Sequence, residues 1–133
     1  LLQRIEHWKT GWAIVQANWL IGVGTGDVQA AFNTQYAKDK SPLFENNRNR
    51  AHNQYLTMWI SFGIFGLALF LYLLWRFCVQ SIKNGQLLGF VFILIVCSSF
   101  LLEDTLETQI GVSFFAFFYS LFVLIEGETS PRA

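Results

Sequence analysis

Residues 48–66 read Arg-Asn-Arg-Ala-His-Asn-Gln-Tyr-Leu-Thr-Met-Trp-Ile-Ser-Phe-Gly-Ile-Phe-Gly, and they join a cationic cluster to a long apolar run. The run carries no charged residue until Arg76. The polar residues at its mouth are Arg48, Arg50, His52 and Asn53. Because a guanidinium group matches a phosphate in a two-pronged hydrogen bond, such a cluster at the edge of hydrocarbon is suited to an anionic lipid head group.

The composition favours a membrane protein. Of the 133 residues, 53% are hydrophobic and 14% are charged, whereas soluble domains carry about 25% charged residues on average. The net charge is zero, so no overall field favours nucleic acid as a partner. The sequence has neither a His/Cys cluster with zinc spacing nor an Asp-x-Asp motif, so no metal or other cofactor is expected.

The first twenty residues predict an amphipathic helix, because large apolar residues recur at helical spacing. These residues are Ile5, Trp8, Trp12, Val15 and Trp19. Tryptophan prefers the membrane interface, where its ring is buried and its N–H stays hydrated. The helix therefore either lies on the bilayer or packs against protein, and the pattern alone leaves both possibilities open.

A glycine-rich stretch follows at residues 21–27, with glycine at every second position. Its backbone N–H groups, at Gly24 and Gly26 for example, can bind a phosphate ahead of a helix, but the stretch is equally typical of a plain turn. Asp27 is a candidate N-cap for a helix from Val28 to about Lys38. Residues 38–50 are polar and are interpreted as a loop.

Three apolar runs then predict three transmembrane helices, at residues 51–75, 85–102 and 108–125. A membrane helix needs about 20 mostly apolar residues, with a range of about 17–25. Buried helices of a soluble bundle are the alternative, which three such runs at this spacing make less favourable.

The charges in the connecting loops predict the orientation. Basic residues flank the first turn, acidic residues fill the second, and Arg132 follows the last run. In chain order these residues are Arg76 and Lys83, then Glu103, Asp104 and Glu107. The positive-inside rule then places the first turn and the C-terminus in the cytoplasm. The predicted fold is an all-α polytopic membrane protein, with residues 1–50 as an outward-facing amphipathic helical region and residues 51–133 as three transmembrane helices.

His52 is the candidate catalytic residue, because an imidazole can accept a proton near neutral pH. A structural, hydrogen-bonded histidine is the alternative. Arg48 and Arg50 can neutralise a phosphate or remain in a solvated loop, and Asn53 can orient a hydroxyl group or the imidazole ring. Glu103 and Glu107 are possible accessory residues: one can pair with the arginines across the outer surface, or both can serve only to keep their loop in water.

Several segments resemble the O-antigen ligase superfamily, which also includes O-antigen polymerases and protein O-oligosaccharyltransferases. Residues 50–56 followed by residues 63–67 resemble its His-Asn-x-x-Leu and Gly-x-x-Gly signature. Residues 4–8 resemble its Arg-x-x-x-Trp element, residues 20–26 its Gly-x-Gly turn, and residues 103–111 a late acidic element. The segments occur in the family's order, although Ser61 stands where members often have a glutamate.

The resemblance implies the C-terminal part of a multi-pass enzyme of the bacterial inner (cytoplasmic) membrane, with its active side facing the periplasm and the piece alone inactive. Such enzymes transfer a glycan, without a metal, from an undecaprenyl-diphosphate carrier to an acceptor glycolipid, glycan or protein. By motif, the family's functional residues fall on Arg4 and His52; Arg48 and Arg50 are assigned by charge and proximity only. A non-catalytic membrane module that binds anionic lipid or a partner protein remains the alternative of another class.

Overall fold

The computed structural model describes residues 2–44 and 47–129, and every regular element within them is helical. The α-helices are α1 (Leu2–Asn18), α2 (Val28–Lys38), α3 (Gln54–Lys83), α4 (Leu87–Leu102) and α5 (Gln109–Thr129), and a 3₁₀ turn, Thr105–Glu107, separates α4 from α5. The all-α prediction is confirmed. Arg132, which contributes to the predicted orientation, lies outside the described residues.

The N-terminal region of the chain, up to the first turns of α3, is organised around a small core that α1 and α2 share with the start of α3. Its buried apolar residues are Ile14, Val15, Val28, Phe32, Tyr36, Ala51 and Ile60. α2 has the predicted bounds, and Asp27 occupies the N-cap position, although its side chain makes no capping hydrogen bond.

α1 packs on protein through a face that shares only Val15 with the predicted apolar one. Its buried residues are His7, Thr10, Gly11, Ile14 and Val15, whereas Trp8, Trp12 and Trp19 remain between 42% and 54% exposed. This face contains Gly11, which contacts α2 and α3 closely. A Cβ at Gly11 would lie 2.7 Å from Leu56 Cδ2 and 3.3 Å from Phe32 Cζ. The missing side chain lets α1 approach its neighbours closely, and the tryptophans line the edge of this interface.

The predicted span at residues 51–75 is not one continuous helix. α3 begins at Gln54 and breaks at Gly63, which has φ 67° and ψ −167°, a backbone region that is essentially restricted to glycine. The loop after α1 fills the break with main-chain hydrogen bonds. Ile64 N–H donates to Trp19 O (2.9 Å), Val23 N–H to Ile60 O (2.7 Å), and Gly24 N–H to Ser61 O (3.0 Å).

The break divides α3 into an outer arm, residues 54–62, and an inner arm, residues 64–83. The rings of Tyr55 and Phe70 have centroids 6.1 Å apart, although fifteen residues of straight helix would separate their backbones by about 22 Å. The outer arm is therefore bent sharply back toward the inner arm. Because of this bend, the motif residues at the start of α3 pack with α1 and α2, and the apolar span begins after Gly63.

Among the described residues, α3 is the one helix long and apolar enough to cross a membrane by length and composition. α4 and the apolar part of α5, Gln109–Leu124, are shorter apolar helices, so the prediction of three spans is not confirmed. α3, α4 and α5 share a core that is rich in phenylalanine, with Leu74, Phe77, Ile93, Val96 and Phe100 buried.

Arg76 lies within α3 and not at the turn, which contradicts the placement inferred from charge. The turn follows Lys83, the last residue of α3. α4 returns from this turn, and its far end meets the start of α3, where Asn53 Nδ2 donates to Leu101 O (3.2 Å). The turn and the acidic loop, residues 103–107, are thus at opposite ends of α4, about 24 Å apart for its 16 residues.

We predict that these two ends face opposite sides of the membrane, with the turn in the cytoplasm, because the charges follow the positive-inside rule. Single cysteines at the exposed positions Asn84 and Gln109, in the full-length protein with Cys78 and Cys97 replaced, should react with an impermeant thiol reagent from opposite sides. Permeabilised membranes, in which both should react, provide the control. Labelling of both sites from one side of intact membranes would contradict the orientation.

Candidate functional site

A polar cavity of about 300 Å³ lies where α1, the loop before α3 and the end of α4 meet. Its lining residues are Gln3, Arg4, His7, Asn49, His52 and Glu103. Two residues assigned by motif, Arg4 and His52, therefore share one cavity with a predicted accessory residue, although they come from distant parts of the chain.

His52 occupies the cavity in an uncommon backbone conformation. Its φ is +48°, which places a non-glycine residue in the left-handed region. The imidazole Nδ1 lies 3.4 Å from Glu103 Oε2, and the side chain is 40% exposed. The ring therefore lies beside a carboxylate and is accessible to a ligand.

The acidic loop forms ion pairs with Arg4 and Arg50. Of the two alternatives for Glu103 and Glu107, pairing with arginines across the surface is the one observed. Arg4 Nη2 donates to Glu103 Oε1 (3.1 Å) and to Leu102 O (3.0 Å), and Arg50 Nη1 donates to Glu107 Oε2 (2.9 Å). The Arg4–Glu103 pair is well exposed, with side chains 39% and 59% accessible. Exposed ion pairs contribute at most about 1 kcal/mol, so a more highly charged anion can displace the carboxylate.

Asn53 has a structural position. Its Oδ1 accepts a hydrogen bond from Leu56 N (3.0 Å) at the start of α3, and its Nδ2 contacts Leu101 O. Both atoms of its amide group are thus engaged by protein. The signal for this role was available in the sequence, because asparagine directly before an apolar helix is a favoured N-cap.

Arg48 and the two glycines do not line the polar cavity. Arg48 Nε donates to Leu43 O (3.3 Å) within the preceding loop. Gly24 N–H donates to Ser61 O at the break in α3, and Gly26 lies in the same loop. The geometry thus favours the plain-turn interpretation of the glycine-rich stretch.

His7 also lines the cavity, although the sequence patterns assign it no role. The ring centroids of His7 and His52 are 6.0 Å apart. His7 is 5% exposed, and its Nε2 lies 3.0 Å from Asn47 O. The available signal was its spacing from Arg4: residues three apart share a helix face.

Tyr36 fixes another wall of the cavity. Its hydroxyl donates to Asn49 O (2.9 Å), and burial raises the pKa of the phenol to about 12. The phenol therefore remains protonated and keeps donating throughout the physiological pH range, so the Asn49 segment is held in place independently of pH.

An apolar cavity of about 480 Å³ adjoins the polar one. Its lining residues are Trp8, Trp12, Asn53, Tyr55, Leu56, Trp59, Leu67 and Leu71. Trp8 and Asn53 directly follow His7 and His52 in the chain, so the cavities lie side by side. Trp8 Nε1 donates to Ala51 O (2.9 Å) and Trp59 Nε1 to Trp19 O (3.1 Å), which leaves their ring carbons to form an apolar wall.

Comparison with known proteins gives one family. A family model described as O-antigen ligase matches residues 1–71, just over half of the 133-residue chain. The match ends within α3, before the acidic loop that contacts Arg4 and His52. No curated protein and no solved structure matches the chain.

Proposed function

The chain belongs to the O-antigen ligase family, and we propose that it forms part of a membrane enzyme that transfers a glycan from an undecaprenyl-diphosphate carrier to an acceptor. The observation that carries the proposal is the pairing of two adjoining cavities. The polar one offers a guanidinium group and an imidazole, and the apolar one offers indole and leucine side chains. A polyprenyl diphosphate has the same two parts, an anionic head and a hydrocarbon tail.

The head group of the carrier is assigned to the polar cavity. Arg4 leaves its exposed pair with Glu103 and donates a two-pronged hydrogen bond to the diphosphate. The first isoprene units lie against Trp8, Trp12 and Leu67 in the apolar cavity, and the remainder of the tail follows the inner arm of α3 into the membrane.

His52 is assigned the role of general base. We assign the ring proton to Nδ1, which lies 3.4 Å from Glu103 Oε2. The Nε2 lone pair is then left to accept a proton from the acceptor hydroxyl group. The acceptor oxygen then forms a bond to the anomeric carbon as the bond from that carbon to the phosphate oxygen breaks. The electron pair leaves with undecaprenyl diphosphate, and Arg4 stabilises the charge that develops there.

We predict that Arg4→Lys lowers kcat/KM about tenfold and Arg4→Ala about a hundredfold in the full-length enzyme, because lysine keeps the charge and loses the two-pronged geometry. Steady-state rates with purified carrier-linked glycan measure the effect. Lys9→Ala is the matched control, since Lys9 lies on the same helix, pairs with Glu6 and does not line the polar cavity. Arg50→Ala should cost less than Arg4→Ala, because Arg50 does not line the cavity. A fully active double Arg4→Ala, Arg50→Ala variant would remove both arginines from the site.

The function itself is tested by reconstituting the full-length protein with a radiolabelled undecaprenyl-diphosphate glycan and three acceptors: a lipid A–core glycolipid, a second glycan and a protein. Transfer to one of them supports the proposal and identifies ligase, polymerase or protein glycosylation. Binding of anionic phospholipid without transfer to any of the three would support the non-catalytic module instead.

A further inference from the structure

The backbone of His52 is held from both sides by side chains of other elements. On the N-terminal side, Trp8 Nε1 donates to Ala51 O (2.9 Å). On the C-terminal side, Asn53 N–H donates to Asp104 Oδ1 (3.1 Å). A left-handed conformation at a non-glycine residue persists only when its surroundings impose it, and these two contacts act on the peptide groups that flank His52.

Asp104 also holds the acidic loop against α3. The same Oδ1 accepts a hydrogen bond from Thr57 Oγ1 (2.7 Å), whose residue is 1% exposed. Two residues later, Leu106 N–H donates to Gln54 Oε1 (2.7 Å). Glu103, the neighbour of Asp104, is thereby kept beside the imidazole and the guanidinium group of the cavity.

We propose that Asp104 is a positioning residue for His52: its carboxylate fixes the backbone of His52 and places Glu103 against the ring. The inference rests on the proposed role of His52 as a base. Asp104 does not line the polar cavity and forms no hydrogen bond or ion pair with the imidazole, so it acts through the groups that it holds. It also lies outside the residues that the family model matches.

The inference is tested with Asp104 variants of the full-length enzyme. Asp104→Ala should lower kcat about 10- to 100-fold, because a displacement of about 1 Å in a reacting group can cost about a hundredfold. The KM for the carrier-linked glycan should stay within about threefold, since Arg4 and the apolar cavity are intact. Asp104→Asn should restore most of the turnover, because the amide oxygen accepts the same two hydrogen bonds. Asp39→Ala, at the exposed end of α2, is the control and should leave kcat unchanged.

A double-mutant cycle separates a positioning role from a general structural one. In the His52→Ala background, Asp104→Ala should cause no further loss of kcat, because there is no imidazole left to position. If Asp104→Ala does not yield monodisperse protein, Thr57→Val weakens the same contact and should show the same lack of additivity. Additive losses in the cycle, unchanged turnover of Asp104→Ala, or equal losses in Asp104→Asn and Asp104→Ala would each overturn the inference. Near-normal turnover of His52→Ala alone would instead overturn the proposed base.

Discussion

The full-length enzyme with His52 replaced by alanine is expected to lose at least about two orders of magnitude in kcat, with binding of the carrier-linked glycan largely retained. General acid–base groups typically contribute about 10²- to 10⁴-fold in rate, whereas the proposed binding of the carrier relies mainly on Arg4 and the apolar cavity. Initial rates under saturating donor measure the chemical step, and equilibrium binding of the labelled carrier measures affinity.

His52→Gln is the informative partner of this variant. Glutamine can donate a hydrogen bond toward Glu103 but cannot act as a base, so it should be as inactive as alanine if proton transfer is the role of His52. Recovery of activity by glutamine would indicate that His52 only orients the acceptor. Near-normal turnover of His52→Ala, with normal expression, would make His52 a structural residue. His7→Ala is not a neutral control, because His7 is buried 6.0 Å from the ring of His52.

The second large effect is expected at the break in α3. Gly63→Ala should destabilise the protein by about 3 kcal/mol or more, because two costs combine. The conformation with φ 67° and ψ −167° is essentially restricted to glycine and costs about 1–3 kcal/mol for other residues. In addition, a Cβ would overlap Leu20 O in the docked loop, and overpacking costs about 1–3 kcal/mol. Thermal unfolding of the detergent-solubilised full-length protein, followed by size-exclusion chromatography, measures the loss.

Two other glycines separate these costs. Gly85 also has a positive φ (+65°), yet a Cβ there would meet no atom within 4 Å, so Gly85→Ala should show the backbone cost alone. At Gly22 a Cβ would lie 2.6 Å from Ile60 O, so Gly22→Ala should resemble Gly63→Ala. Equal melting temperatures for Gly63→Ala and the wild type would contradict a break in α3 that requires glycine at position 63.

Local sequence patterns predicted the helices well and their interruptions poorly. α2 and α4 lie where periodicity and apolar composition place them, because both signals are local. The break at Gly63 was missed, since a glycine inside a helix costs only about 1 kcal/mol by itself. Whether it breaks the helix depends on Gly22, some forty residues earlier, whose loop supplies the replacement hydrogen bonds.

The candidate site was predicted in the same uneven way. Arg4 and His52 were found by motif, and the structure places them in one cavity. The roles of Asn53 and Asp104 in holding the start of α3 were missed for different reasons. The capping pattern of Asn53 was legible in the sequence, whereas the bond of Asp104 to Thr57 spans 47 residues, and nothing local in either segment indicates the other.

The joint at Gly63, where the loop after α1 bonds to the break in α3, consists of main-chain groups. Its donors and acceptors belong to Trp19, Val23, Gly24, Ile60, Ser61 and Ile64. Main-chain hydrogen bonds are available to almost any residue type, so the geometry is specified by the two glycines that permit close approach, Gly22 and Gly63. The remaining positions can diverge during evolution while the joint stays the same. Distant relatives that keep the two glycines can therefore share the bent α3 at a level of sequence identity that pairwise comparison would not detect.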